Sequence, residues 1–179
     1  MIAALLLALV APAASADAVP CIPAATAEIA SSALADHRAL RATLNEPMPE
    51  AATMVMLFGH GGHLSTSEYS IVLARRADGR WDGTAVGRSQ IWIKDAPFNP
   101  MNRREWTLDR EESGLLDAAI ARRCPAKPPI TDNTPGEPPP RSFVSEKIDV
   151  IRPEQPPLAF YVSSGDGSFD ALLRPPAYR

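Results

Sequence analysis

The sequence predicts an α+β fold in which an antiparallel sheet of about four to six strands is centred on a long β-hairpin at residues 68–94. The dipeptide Asp78-Gly79 supplies the positive φ angles that a tight hairpin turn needs, and β-branched and aromatic residues flank it on both sides. Helical and strand-like segments do not alternate regularly, which argues against a parallel, doubly wound sheet. One or two helices are therefore expected to pack on the sheet.

The first 16 residues have the pattern of a cleaved signal peptide. An apolar run at residues 2–11 is followed by Pro12 and by a small-residue A-x-A cleavage site that ends at Ala16. The run is much shorter than the roughly 20 residues that span a bilayer. Cleavage would leave residues 17–179 as a single small exported domain, located in the periplasm or secreted.

The first predicted helix lies at residues 24–45, where the chain is rich in alanine and apolar residues recur at helical spacing. It must end by Glu46, because Pro47 and Pro49 remove backbone donors and favour extended geometry in the residues before them. His37 lies beside the apolar stripe and is expected to be a partly buried packing residue. Its alternative roles are those of a metal ligand or a general base.

A short apolar run at residues 53–58 precedes the hairpin and predicts a strand that is buried on both faces. Within the hairpin, a two-residue turn would place Arg76 opposite Trp81 in a solvent-exposed tip, as a cation–π pair. Gly83 and Gly87 on the second strand are compatible with a bulge or with the close approach of another backbone.

The second predicted helix, at residues 110–123, has a well-defined start. Asp109 can cap the first turn, and Glu112 can complete a capping box. Pro125 ends the helix, so Cys124 is expected at its carboxyl end.

Cys21 and Cys124 are the two cysteines of the chain, and they are predicted to form a disulfide in an oxidising compartment. The bond would close a loop of roughly 100 residues, for which chain entropy allows up to about 4.7 kcal/mol of stabilisation. The alternatives are a metal pair or a free nucleophile. Prolines surround Cys21 and no histidine lies near Cys124 in the sequence, so neither alternative gains support.

A Pro-rich segment at residues 125–141 is predicted to be a stiff, exposed loop. Two strand-like runs follow at residues 143–151 and 158–163. Neither face of the first run is cleanly apolar, which is typical of an edge strand. A short helical piece is expected at residues 169–173.

Charge and motifs exclude several classes of function. The 18 basic and 21 acidic residues give a net charge of -3, which offers no reason to expect a nucleic acid partner. The sequence contains no phosphate-binding glycine loop, no redox C-x-x-C and no heme-attachment motif. No catalytic or cofactor-binding residues are predicted.

The segment His60-Gly61-Gly62-His63 is the arrangement to weigh for metal binding, because two imidazoles three residues apart on a flexible loop can reach one Zn²⁺ or Cu²⁺. Two ligands are too few, so Glu68 or His37 would have to supply the others. The alternative interpretation is a glycine-rich connection between strands that carries two polar residues.

The leading functional expectation is a non-enzymatic binding or structural envelope protein. Its partner would be an unknown envelope protein or a small ligand, bound through the sheet face, a sheet edge or the Pro-rich loop. The alternative is a metal-binding protein or small metal-dependent enzyme that uses His60 and His63. A third interpretation is an inhibitor or assembly factor that presents residues 125–141. No stable membrane anchor is expected after signal cleavage.

Overall fold

The computed structural model of the chain describes residues 22–24, 27–62, 64–125, 144–161 and 167–176. Within these residues the strands are β1 (Ile22–Ala24), β2 (Met54–Gly61), β3 (Ser65–Arg75), β4 (Trp81–Ile91), β5 (Asn99–Pro100), β6 (Arg104–Thr107), β7 (Arg123–Pro125), β8 (Val144–Ile151) and β9 (Leu158–Tyr161). The helices are α1 (Ala27–Thr43), α2 (Arg110–Ala121) and α3 (Gly167–Leu173). The signal peptide and nearly all of the Pro-rich segment fall outside the described ranges, so both stay predictions.

The large sheet is antiparallel, with seven strands in the order β5-β4-β3-β2-β8-β9 and with β6 also paired to β4. This confirms the predicted α+β class, although four to six strands were expected. The prediction of an edge strand at residues 143–151 was wrong, because β8 lies between β2 and β9. Its polar residues do not mark a sheet edge, because Ser145, Glu146 and Lys147 are only half-buried and Asp149 is buried where α1 contacts the strand.

The predicted hairpin is present, but its turn is longer than expected. The Arg76 N–H donates to the carbonyl of Arg80 at 2.8 Å, the Gly79 N–H donates to the carbonyl of Arg76 at 3.1 Å, and Gly79 has φ 85°. Three residues therefore close the turn where two were predicted. The strand register moves by one position, and Arg75 takes the place opposite Trp81.

This shift places Trp81 in the core. Its side chain is fully buried, and its indole N–H donates to a carboxylate oxygen of Asp117 at 3.1 Å. Arg75 binds the same carboxylate at 2.8 Å. The predicted exposed pair of Arg76 and Trp81 was wrong, because a one-residue change of register moves each side chain of a strand to the opposite face.

The apolar core lies between one face of the sheet and the helices α2 and α3. The start of α2 is capped as predicted, since Asp109 accepts from the Glu112 N–H at 2.8 Å and Glu112 accepts from the Asp109 N–H at 3.1 Å. The buried residues of this core are Val55, Leu57, Ile71, Leu73, Trp81, Leu108, Leu116, Ile120, Ile148, Val150, Leu158, Phe160, Phe169 and Leu173.

The opposite face of the sheet is covered by α1, which crosses from β9 and β8 towards β3 and β4. The helix forms nearly where the sequence predicts it and has 17 residues. In the described part of the chain, no helix is long and apolar enough to cross a membrane.

A separate two-stranded parallel sheet joins β1 to β7. Pro23 lies opposite Cys124 in this pair. The amino-terminal arm is thereby held beside the chain that follows α2. Cys21 itself lies beyond the described ranges, so the bond stays a prediction.

Candidate ligand-binding site

The helices on the core face leave one end of β3 and β4 uncovered, and a cavity of about 170 Å³ lies there. We call it the Tyr69 cavity. Its walls come from β3, β4, the segment that enters β6 and the chain after α3: Tyr69, Ile71, Ala85, Val86, Gly87, Met101, Asn102, Arg104, Arg174 and Pro175. The site is a mainly apolar depression in the sheet face, with polar groups at its margins.

Two glycines allow this cavity to form. A Cβ atom at Gly59 would overlap the ring of Tyr69, so the phenol can lie across β2 only because no side chain is present there. A Cβ atom at Gly87 would lie 2.9 Å from the sulfur of Met101. The Met101 N–H also donates to the Gly87 carbonyl at 2.7 Å, which brings the outer wall close to the sheet. The close approach expected at Gly87 from the sequence is thus observed.

A network of charged side chains lies behind two of the lining residues, Tyr69 and Arg174. The Tyr69 hydroxyl donates to Glu146. Arg174 donates to both oxygens of Glu146, at 2.7 and 2.8 Å, and to Asp170 at 3.0 Å. One guanidinium is therefore shared by two carboxylates.

Tyr69 stays protonated in this environment. Burial, reinforced by the hydrogen bond to Glu146, raises the pKa of the Tyr69 phenol above its ordinary value. The phenol is thus a fixed donor rather than a base, and Glu146 is occupied by its two partners. A phenol that only donates and a carboxylate that is already paired suit the binding of an apolar molecule better than proton transfer.

The predicted metal ligands lie elsewhere. His60 belongs to β2, which continues to Gly61, so the expected flexible loop begins later than predicted. The Nδ1 atom of His60 lies 3.2 Å from one oxygen of Glu68, and Arg88 donates to the other oxygen at 2.6 Å. Within the described ranges no three His, Cys, Asp or Glu side chains are grouped to hold a metal ion. His63 falls outside those ranges, so the metal site stays a prediction.

His37 is a residue of α1 and its side chain is fully buried, more deeply than the partly buried position that was predicted. Its Nδ1 atom and the Ser70 hydroxyl share a hydrogen bond of 2.7 Å, and Arg41 donates to the same hydroxyl at 2.8 Å and to that of Thr84 at 3.0 Å. Burial, with a smaller contribution from the charge of Arg41, lowers the pKa of His37 to about 3. The neutral imidazole therefore helps to hold α1 on the sheet.

Asp149 is a buried acid that the sequence reasoning missed. Its side chain is 1% exposed, and neither carboxylate oxygen has a hydrogen-bond partner among the described residues. Burial raises the pKa of Asp149 to about 7, with Lys147 acting to lower it and Asp36 to raise it. An alternating polar pattern on β8 was visible in the sequence, but it indicated an exposed strand rather than a buried carboxyl group.

No protein-family model, curated protein or solved structure matches this chain. Its class is therefore defined by the fold and the site alone. It is an α+β protein whose antiparallel sheet carries a small, mainly apolar cavity on one face.

Proposed function

We propose that this chain is a non-enzymatic, exported binding protein that takes a small, largely apolar molecule in the Tyr69 cavity. The observation that carries the proposal is the cavity itself, an apolar depression with a few convergent polar groups on a rigid sheet. Ligand sites in proteins usually have this combination of apolar walls and a small number of polar groups.

The size of the cavity limits the ligand. Its volume of about 170 Å³ is close to that of an engineered apolar cavity, of roughly 150 Å³, that holds benzene. A single ring or a short alkyl chain therefore fits within the cavity.

The charges around the cavity orient the ligand. The guanidinium of Arg174, which lines the cavity, is already paired with Glu146 and Asp170, so it attracts an anionic group less than an unpaired arginine would. The outer rim presents the exposed donors Asn102 and Arg104. We infer that the ligand buries its apolar part against Tyr69 and directs a hydrogen-bond acceptor or a carboxylate outward, to this rim.

Toluene and benzoate are suitable probes, because they share a ring and differ in the anionic group. Saturation-transfer NMR is expected to detect both in contact with the protein. Ala85→Leu fills the cavity and should weaken both probes by about tenfold or more, whereas Ala85→Ser, which is similar in size to the parent, should not. Arg104→Ala should weaken benzoate by about threefold and leave toluene unchanged, since an exposed charge contributes little.

Equal binding to the parent and to Ala85→Leu would place the probes elsewhere and reject the proposal. Failure of both probes to bind at millimolar concentration would reject it too. Export is tested separately: the protein recovered from the cell envelope should have the mass of residues 17–179.

The second proposal, a metal-binding protein that uses His60 and His63, is favoured by the contact of His60 with Glu68 at 3.2 Å. The ion pair of Glu68 with Arg88 opposes it, because a metal would have to compete with the guanidinium. Stoichiometric Zn²⁺ or Cu²⁺ in the purified protein, lost in the double variant His60→Ala/His63→Ala, would support this function. The metal-binding function would be rejected if Zn²⁺ and Cu²⁺ each change the thermal stability of the double variant as much as they change that of the parent.

A further inference from the structure

Large apolar side chains are exposed together at the end of the sheet where β3 begins and β4 ends. Leu64, Trp92 and Ile93 are 78%, 63% and 65% exposed. Contiguous exposed apolar groups of this kind mark interaction surfaces. The full set, which we call the apolar tip, is Leu64, Ile91, Trp92, Ile93 and Phe98.

The backbone holds these side chains in one place. Ile91 lies opposite Ser65 in the β3–β4 ladder, and the Trp92 N–H donates to the Leu64 carbonyl at 3.2 Å. Most of the surface of Leu64 and of Trp92 is exposed to solvent.

The backbone N–H groups of Trp92 and Ile93 and the indole N–H of Trp92 donate to groups in the tip or next to it. The Ile93 N–H donates to the Ile91 carbonyl at 2.8 Å, and the Ala96 N–H donates to the Ile93 carbonyl at 3.1 Å. The indole N–H of Trp92 donates to the Thr66 hydroxyl at 2.7 Å. Lipid chains offer no hydrogen-bond partners, so a segment that enters them must satisfy its own polar groups.

We propose that the apolar tip inserts into the interfacial region of a lipid bilayer and docks the protein on the membrane surface without spanning it. Tryptophan is favoured at this depth because its ring is apolar and its N–H is polar. The tip segment also carries two exposed charges between Ile93 and Phe98, Lys94 and Asp95, which have opposite signs. Binding therefore depends on apolar insertion and not on the charge of the lipid.

The test is sedimentation of the full chain with vesicles of phosphatidylcholine, and with vesicles that also contain one quarter phosphatidylglycerol. The parent should bind both with similar partition coefficients, and Trp92 emission should shift to shorter wavelength. The double variant Leu64→Asp/Ile93→Asp should bind at least about tenfold more weakly than the parent. The cost of burying two charged groups exceeds the gain from the remaining apolar area. Leu115→Asp, at a 54% exposed site on α2, is the matched control and should bind like the parent.

Trp92→Phe should abolish the emission shift and retain most of the binding, which assigns the shift to the tip. The proposal is overturned if the parent does not sediment with either vesicle at millimolar lipid. It is also overturned if Leu115→Asp loses as much binding as the tip variant. A monomer–dimer equilibrium that the tip variant abolishes, without vesicle binding by the parent, would assign the tip to a second copy of the chain instead.

Discussion

Two buried side chains between α1 and the sheet are held in their neutral forms. The pKa of His37 falls from 6.5 to about 3, and the pKa of Asp149 rises from 3.8 to about 7, in both cases mainly through burial. Between about pH 4 and 6.5, folding therefore removes a proton from the imidazole and adds one to the carboxyl group. The number of bound protons does not change, so these two groups together leave stability independent of pH in this range.

Replacing either group should expose the effect of the other. In Asp149→Asn only His37 remains, and its unfolded form binds the extra proton, so stability should rise with pH relative to the parent between about pH 4 and 6.5. In His37→Gln only Asp149 remains, and its folded form binds the extra proton, so stability should fall with pH over the same range. Each slope is expected to approach about 1.4 kcal/mol per pH unit.

Urea unfolding at several pH values measures these slopes. The assignment of His37 and Asp149 as neutral would be contradicted if stability changed with pH in the same direction in both variants. It would also be contradicted if neither variant differed from the parent in its dependence on pH. Asp36, an acid on α1 that raises the pKa of Asp149, serves as a check. Asp36→Asn should lower the pKa of Asp149 and reduce the slope seen in His37→Gln.

Among the structural elements, the contact of β2 with β3 depends on Gly59. Gly59→Ala would drive the Tyr69 ring out of its position and break its bond to Glu146, so we expect a loss of about 1 to 3 kcal/mol in the free energy of unfolding. Combining Gly59→Ala with Tyr69→Ala should recover part of the loss, because the added methyl group then has room.

A second glycine supplies the matched control. A Cβ atom at Gly114 would meet nothing within 4 Å, and the residue lies within α2. Gly114→Ala should therefore stabilise the protein, by up to about 1 kcal/mol. Thermal unfolding measures the stability of both variants. Equal changes in stability for Gly59→Ala and Gly114→Ala would show that the Tyr69 ring does not pack against Gly59.

The disulfide predicted between Cys21 and Cys124 has a direct test by mass. If the bond forms, the chain should weigh two hydrogens less as purified than after reduction, because each thiol loses its hydrogen. Replacing both Cys21 and Cys124 with serine should lower the free energy of unfolding by about 2 to 4 kcal/mol. Two free thiols in protein purified without reductant would contradict the pairing.

The sequence predicted the ends of helices well, because helix capping and helix breaking depend on residues that are close together in the chain. The capping pair Asp109 and Glu112 and the helix-ending Pro47 are examples, because each acts within a few residues of its own position. The turn at Gly79 was harder. Two- and three-residue turns use the same residue types, and only the packing of Trp81 against the core selects the longer one.

For the molecule as a whole, the rate of backbone amide hydrogen exchange should increase from the centre of the sheet to its edge. β2 is flanked by β3 and β8, and its Val55, Met56 and Leu57 are fully inaccessible. Its amides should exchange only through global unfolding, whereas the Asn99 amide of the two-residue edge strand β5, in which Pro100 has no N–H, should exchange first. Faster exchange in β2 than in β5 would be inconsistent with this order of strands.

The α+β class followed from patterns along the chain, but the strand order and the site did not. The Tyr69 cavity combines side chains from β3, β4 and the chain after α3, so its walls are far apart in the sequence. Gly87, which like Gly83 was compatible with a bulge or a close approach, was a signal for this part of β4. The burial of Asp149 and the full burial of His37 were missed for a related reason: both depend on where α1 crosses the sheet, and a single sequence does not contain that information.

The Tyr69 cavity and the apolar tip share one strand. Gly87 at the cavity and Ile91 at the tip are four residues apart on β4, which corresponds to about 14 Å along an extended chain. A tip seated in lipid would hold the cavity mouth just above the headgroups. Apolar ligands concentrate in bilayers, so the membrane would act as a two-dimensional reservoir, and capture would follow the local lipid content rather than the dilute aqueous supply.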